Sequence, residues 1–143
     1  MMTGTYYHTV ESSGRVSVPV KFRELLGEHP IITKGFDGCL FLFSQAEWQK
    51  LTSSFENASV MKKANRDVVR SFAYSAHVVS FDETGRVLIP DHLRASATLE
   101  KSVVFAGAFS RVEIWNEKSY AEYVEKLEKT VESSAESFEE VYE

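Results

Sequence analysis

A nine-residue segment of this chain occurs twice, and the distance between its two copies limits what the chain can become. Glu11-Ser-Ser-Gly-Arg-Val-Ser-Val-Pro19 returns 71 positions later as Asp82-Glu-Thr-Gly-Arg-Val-Leu-Ile-Pro90, and the match extends to Arg23 and Arg94. Gly, Arg, Pro and Arg recurring in one register has a chance probability of about 1 in 100,000 at average residue usage, so duplication is the explanation. After a one-residue insertion the offset becomes 72 and the match turns to pattern. Ile32 then falls on Val104, Gly35 on Gly107, Leu42 on Ile114, Phe43 on Trp115 and Trp48 on Tyr120. A period this long rules out a solenoid of short repeats. It implies two copies of one small unit related by an approximate two-fold.

Each copy reads the same way. A strand (Tyr6–Val10; His77–Phe81) enters a turn centred on Gly14 or Gly85, where a positive φ is expected. A second strand, Arg15–Val18 or Arg86–Ile89, alternates toward a core. Pro19 and Pro90 then suit the first turn of a short helix, which Gly27 stops in the first copy. A hairpin follows, turning at Gly35–Gly38 or Gly107–Ser110 and ending in Cys39–Phe43 or Arg111–Trp115. Ser44-Gln-Ala-Glu47 has the form of a capping box, and Asn116 is the equivalent N-cap of the second copy. Met61, Ala64, Val68 and Phe72 mark a further amphipathic helix between the copies. The expected division is therefore 5–47 for the first half, 48–75 for connecting helices, 76–119 for the second half and 120–143 for a tail.

The chemistry is concentrated in acid-x-x-Gly-Arg at a strand–turn–strand corner. A carboxylate four residues before an arginine can accept the turn's amides or hold the guanidinium in one rotamer. Either role preorganises the arginine and leaves other donors pointing outward. The planar guanidinium fork suits phosphate or the O6/N7 edge of guanine. A lone copy reads as an ordinary surface salt bridge, worth under about 1 kcal/mol. Two copies at matched positions shift the balance toward a site. Arg15 and Arg86 are the candidate contacts, expected to project free of counter-charge, with Glu11, Gly14, Asp82 and Gly85 shaping the turns. Lys21 and Arg23 are candidate auxiliary phosphate contacts.

Acid-x-x-Gly-Arg-Val-x-Val/Ile-Pro-x-x-apolar-Arg, present twice, resembles the SpoVT–AbrB group of swapped-hairpin DNA-binding proteins. Two copies in one chain with a helical tail resemble the MraZ family of bacterial transcriptional regulators. The resemblance runs from Gly4 through the helix after Trp115 and is weakest in the tail. It implies an α+β fold: a pseudo-two-fold swapped-hairpin β-barrel of two SpoVT–AbrB-like repeats, with short helices and a C-terminal helix. It also implies a homo-oligomeric ring whose arginine corners face double-stranded DNA. The implied targets are short promoter repeats upstream of the chain's own division and cell-wall operon. The first copy departs from the family pattern by having Glu11 where aspartate is expected, and the extra methylene loosens the hold of that carboxylate on its turn.

Charge bears on this expectation. The net charge of −5 is concentrated at the C-terminal end, where residues 113–143 hold ten glutamates and three lysines. Residues 1–112 carry 13 basic and 11 acidic side chains, too weak an excess to argue for nucleic acid alone. Spaced repeats bound by several subunits would compensate through effective concentration. Tyr120, Tyr123, Val124, Leu127, Val131, Ala135, Phe138 and Tyr142 form an apolar stripe through the acidic tail. It suits either packing on its own body up to Leu127 or an inter-subunit contact, with fraying beyond Val131. Lys62, Arg66 and Arg70 form a basic stripe, read either as a solvated helix face or as a phosphate contact.

Other function classes find little support. The four histidines are scattered and have no cysteine at metal-ligand spacing, so neither metal nor cofactor is expected. No nucleophile–base cluster, phosphate-cradling loop or dinucleotide fingerprint argues for an enzyme or a small-molecule substrate. Cys39 reads as a small buried residue. A lone cysteine, no signal-like start and no apolar run of membrane-spanning length fit a cytoplasmic, nucleoid-associated protein without a membrane partner. Two alternatives stay open: an antitoxin-like swapped-hairpin protein, and a structural or protein-interaction ring that does not bind DNA.

Overall fold

The structure, a computed structural model, describes residues 1–139; Tyr142, the last residue of the expected apolar stripe, lies outside them. In chain order the elements are β1 (Thr5–Thr9), β2 (Arg15–Ser17), α1 (Val20–Leu26), β3 (Ile31–Lys34), β4 (Leu40–Phe43), α2 (Gln45–Ser54) and α3 (Lys63–Ser75). Then follow β5 (His77–Val78), β6 (Arg86–Leu88), α4 (Asp91–Ser96), β7 (Ser102–Gly107), β8 (Val112–Asn116) and α5 (Glu117–Glu136). The fold is mixed α+β, with an antiparallel sheet and a C-terminal helix.

Strand pairing carries the duplication into three dimensions. Six strands form one sheet in the order β1-β7-β8-β4-β3-β5, and β2 pairs with β6 in a separate ribbon. Exchanging each strand for its counterpart in the other copy reverses that order and leaves every pairing intact. Each outer strand therefore bonds to a strand of the other copy, β1 to β7 and β5 to β3. The approximate two-fold passes between Phe41 and Glu113 in β4–β8, and between Val16 and Val87 in the ribbon.

The ladders do not close into a barrel, which corrects the expectation from resemblance. β1 and β5 are both sheet edges. β5 is reduced to two residues where its counterpart β1 has five, and β2 and β6 bond to each other rather than to the sheet.

The core repeats in the same register. Val16, Val18, Phe22 and Leu26 of the first copy are buried, as are Val87, Ile89, Leu93 and Ala97 at the matching positions. Both sets pack with Leu40, Leu42, Val112 and Ile114 into one cluster. The opposite face of β4 and β8 presents Phe41, Phe43 and Trp115 to a second cluster, in which Phe72 of α3 and Trp48 of α2 close over the sheet. Burial on both faces accounts for the uninterrupted Leu40-Phe-Leu-Phe43 run. A fully buried side chain of this kind contributes about 1.5–3 kcal/mol, so matched cores weld the copies into one unit.

Local signals mostly act as expected. The Pro19 and Pro90 carbonyls accept the first amides of α1 and α4. Ser44 Oγ accepts the Glu47 amide at 3.2 Å, but Glu47 pairs with Lys50 instead of completing the capping box. Asn116 Oδ1 accepts the amides of Lys118 and Ser119. The copies diverge after these caps. The first copy ends α2 and returns across β3 as α3, whereas α5 runs on for 20 residues. The helix continues to Glu136, past the expected fraying point at Val131. Its packing stops earlier than Leu127, since Val124 is the last residue that is even half-buried. Among the described residues no helix is long and apolar enough to cross a membrane.

Candidate functional site

The two duplicated corners meet in the β2–β6 ribbon. Arg15 lies opposite Leu88 and Ser17 opposite Arg86. Val16 and Val87 point into the core, so Arg15, Ser17, Arg86 and Leu88 share the outer face. Arg15 and Arg86 are thus diagonal neighbours on one narrow ribbon, with backbones about 7–8 Å apart for that register. Resemblance implied two arginine corners; the fold brings both to a single face.

Matching backbone bonds build the two turns. The Glu11 amide donates to the Arg15 carbonyl at 2.8 Å and the Gly14 amide to the Glu11 carbonyl at 2.8 Å. Asp82, Arg86 and Gly85 repeat these bonds at 2.9 and 3.0 Å. Gly14 and Gly85 have φ of 89° and 80°, in the left-handed region that favours glycine. A side chain at either would also have to displace an arginine head group. A Cβ on Gly14 would stand 2.8 Å from Cζ of Arg94, and one on Gly85 would collide with the Arg23 guanidinium. Each turn therefore rests on an arginine from the other copy's short helix.

This placement changes the reading of the auxiliary cations. Arg23 packs beneath Gly85, with its Nε donating to the Val18 carbonyl at 3.1 Å. Arg94 packs beneath Gly14 and pairs with Asp91. Both arginines are supports for the turns. The repeat match at 23 and 94 was their signal, but sequence alone did not say which turn each would touch. Lys21 donates to Thr3 Oγ1 at 3.1 Å and remains exposed.

The side chains at the corners are less symmetric than the backbone. Asp82 performs both roles open to it. Its Oδ1 accepts the amides of Thr84 and Arg86 and the Thr84 hydroxyl, and its Oδ2 accepts Arg86 Nε at 2.8 Å. These bonds, the Arg86 amide foremost, hold the Asp82 carboxyl at about 2, against an ordinary value of 3.8. Glu11 does not hold Arg15. Its carboxylate reaches across the ribbon and accepts Arg86 Nη1 at 2.8 and 3.0 Å. The extra methylene carries the group past its own turn to the other copy. Glu11 and Asp82 together raise the Arg86 pKa further above its ordinary value.

Arg86 is consequently clamped by two carboxylates, with a side chain 32% exposed. This corrects the expectation of two unneutralised guanidinium groups. Arg15 is half-buried and has no ion pair or side-chain hydrogen bond among the described residues. Arg86 Nη2 likewise lacks a partner among them.

The comparisons with known proteins bear on the whole chain. A family model described as "MraZ protein, putative antitoxin-like" matches twice, over residues 1–71 and 72–141. The chain belongs to the MraZ family. Relatives bearing the name "Transcriptional regulator MraZ" align over most of their length. One from Caldanaerobacter subterraneus subsp. tengcongensis is 43% identical over 136 residues, 95% of each chain. Another, from Thermoanaerobacter pseudethanolicus, is 39% identical over 141 residues, 99% of each. A third, from Alkaliphilus oremlandii, is 44% identical over 123 residues, 86% of each. The two matches of the MraZ model coincide with the 71-residue offset of the repeat.

Away from the ribbon, two features were not legible in sequence. His77 and His92 approach Nε2 to Nε2 at 2.7 Å on the exposed surface. Among the described residues no three His, Cys, Asp or Glu side chains are grouped to hold a metal. Arg66 is tied to the Val60 and Met61 carbonyls, and Arg70 faces Asp67, so the expected basic stripe is partly engaged by its own helix and connector.

Proposed function

We propose that this MraZ-family transcriptional regulator binds double-stranded DNA through the outer face of the β2–β6 ribbon, with Arg15 and Arg86 as the contacts. One observation carries the reading: both duplicated arginines lie on the exposed side of a two-stranded ribbon whose inner side is anchored in the core by Val16 and Val87. A two-stranded ribbon fits the major groove of B-DNA, which is about 12 Å wide. Arginine is the side chain that bonds phosphate or guanine bidentately.

The charge at the corner sets how binding proceeds. Arg15 can meet DNA directly. Asp82 keeps the rotamer of Arg86 while Nη2 remains available, and Glu11 must yield Nη1 before that nitrogen reaches DNA. Each subunit therefore contributes few strong contacts, and avidity across a homo-oligomeric ring on spaced promoter repeats supplies the remainder. The acidic α5 lies away from the duplex, because its glutamates repel phosphate. In this reading 5–47 and 76–119 are the two working halves, 48–75 connects them, and 120–143 serves assembly, in a cytoplasmic, nucleoid-associated regulator of its own division and cell-wall operon. The antitoxin-like alternative is favoured by one feature, the uncovered apolar stripe of α5; duplication of the corner within one chain counts against it.

Selection of bound fragments from the parent genome, followed by footprinting, tests this function. Regularly spaced short repeats upstream of the chain's own gene should be enriched and protected. A fragment pool with no enriched element would overturn it.

A further inference from the structure

We infer that Leu88 sets base preference at the ribbon by packing on the C5-methyl group of a thymine in the major groove. The inference rests on the DNA-binding reading above and adds to it a residue that reads sequence. Four side chains make up the outer face of the ribbon. Arg15 and Arg86 occupy one diagonal, and Ser17 and Leu88, which match at the 71-residue offset, occupy the other. The backbone and the arginines therefore obey the approximate two-fold, but a hydroxyl stands at one remaining corner and a branched hydrocarbon at the other.

Leu88 is 46% exposed, while its chain neighbours Val87 and Ile89 are buried on the opposite side. It belongs to neither apolar cluster of the core. A single exposed leucine is ordinary on a protein surface; the place of this one is not. It lies directly opposite Arg15, with Cβ atoms about 5 Å apart for such a pairing. Arg86 is two residues away along β6, about 6.5 Å. A duplex met by both guanidinium groups therefore covers Leu88 as well and expels water from it. Leucine makes no side-chain hydrogen bond, so pressing it on a phosphate or a polar base edge would strip water from that group and leave it unbonded. In the major groove the apolar group among the donors and acceptors is the C5-methyl of thymine. Leu88 gains by covering that methyl and loses against a polar edge. The arginines supply charge and position, and preference for thymine comes from the leucine.

Fluorescence anisotropy on the full chain tests this, using the bound duplex from upstream of the gene and versions in which each thymidine in turn is replaced by deoxyuridine, which lacks only the methyl. One such replacement within a protected repeat should weaken wild-type binding roughly fourfold, the worth of a buried methyl group. Leu88→Ser, which gives both copies the same residue, should bind the thymidine and deoxyuridine duplexes alike, at the wild type's affinity for the latter. Leu88→Met, apolar and similar in volume, should keep the preference. Should Leu88→Ser melt lower than the wild type, Leu88→Ala replaces it with the same expected result. Sedimentation velocity should be unchanged in every variant; a new oligomeric state in Leu88→Ser would put Leu88 at a contact between copies and overturn the inference. A wild type indifferent to every replacement would overturn it too, as would a preference that Leu88→Ser retains. In each of these cases loss of affinity in Arg15→Ala leaves the DNA-binding reading standing. Arg15→Ala and Arg86→Ala that both bind as the wild type does would overturn that reading and this inference together.

Discussion

The carboxylate of Glu11 accepts two hydrogen bonds from Nη1 of Arg86, at 2.8 and 3.0 Å, although the residues are 75 positions apart and belong to different copies of the repeat. Asp82, at the position equivalent to Glu11, instead holds Arg86 within its own copy, through Nε at 2.8 Å. One methylene thus separates a carboxylate that positions an arginine from one that competes for it. Glu11→Gln should remove the competitor and tighten DNA binding roughly two- to fivefold, the scale of an exposed ion pair. Asp82→Asn should weaken binding, because Arg86 loses its fixed rotamer. Fluorescence anisotropy with a duplex from upstream of the gene separates the two. Equal weakening by both variants would make Glu11 a support and not a competitor.

The turn glycines should resist substitution for two separable reasons. Gly85→Ala incurs left-handed backbone strain of about 1–2 kcal/mol, and its new methyl collides with Arg23. In an Arg23→Ala background the same substitution should cost less, since only the strain remains. Chemical denaturation of the four proteins in this cycle measures the difference. A cost independent of Arg23 would show that the guanidinium does not brace the turn.

Acid should act on the Asp82 corner within a defined window. Its carboxyl is held at about 2 in the folded chain and returns toward 3.8 on unfolding. The unfolded state therefore binds the proton more readily, and the stabilisation is complete above about 4 and lost as pH falls toward 2. The stability difference between wild type and Asp82→Asn should shrink across that interval. Unfolding curves at successive pH values check the sign; a difference that grows on acidification contradicts it.

Cys39 should be chemically silent in the native state. It is buried, and burial, with Glu113 nearby, pushes its thiol up to about 12. An aromatic disulfide reagent at neutral pH should react only at the rate of unfolding, and at full speed in denaturant. Prompt reaction of the folded chain would contradict this packing.

The repeat made much of this architecture legible. Offsets of 71 and 72 located both turns, both short helices and the paired core positions, because duplication constrains symmetric packing. That the outer strands exchange copies was implied only by the resemblance to swapped-hairpin proteins, since pairing partners leave no local signal. Ladder closure was also beyond it: whether β5 continues past Val78 depends on three-dimensional pairing, and the resemblance pointed to a barrel that the strands do not form. At the site, residue types were readable but contacts were not. Glu11 stood out as a departure from aspartate, yet its reach to Arg86 depends on the ribbon register, and the placement of Arg23 beneath Gly85 depends on the same exchange between copies.

The salt dependence of DNA binding by the wild type, Arg15→Ala and Arg86→Ala tests the ribbon assignment most directly. Each substitution should lower affinity while the protein stays folded in the same oligomeric state; Arg15→Ala should keep the wild-type melting curve, and Arg86→Ala should melt lower because it removes the bonds to Asp82 and Glu11. Each should also flatten the plot of log K against log salt, by about 0.9 for every phosphate that the arginine no longer neutralises. Superimposable plots for all three proteins would contradict the assignment of Arg15 and Arg86 to DNA.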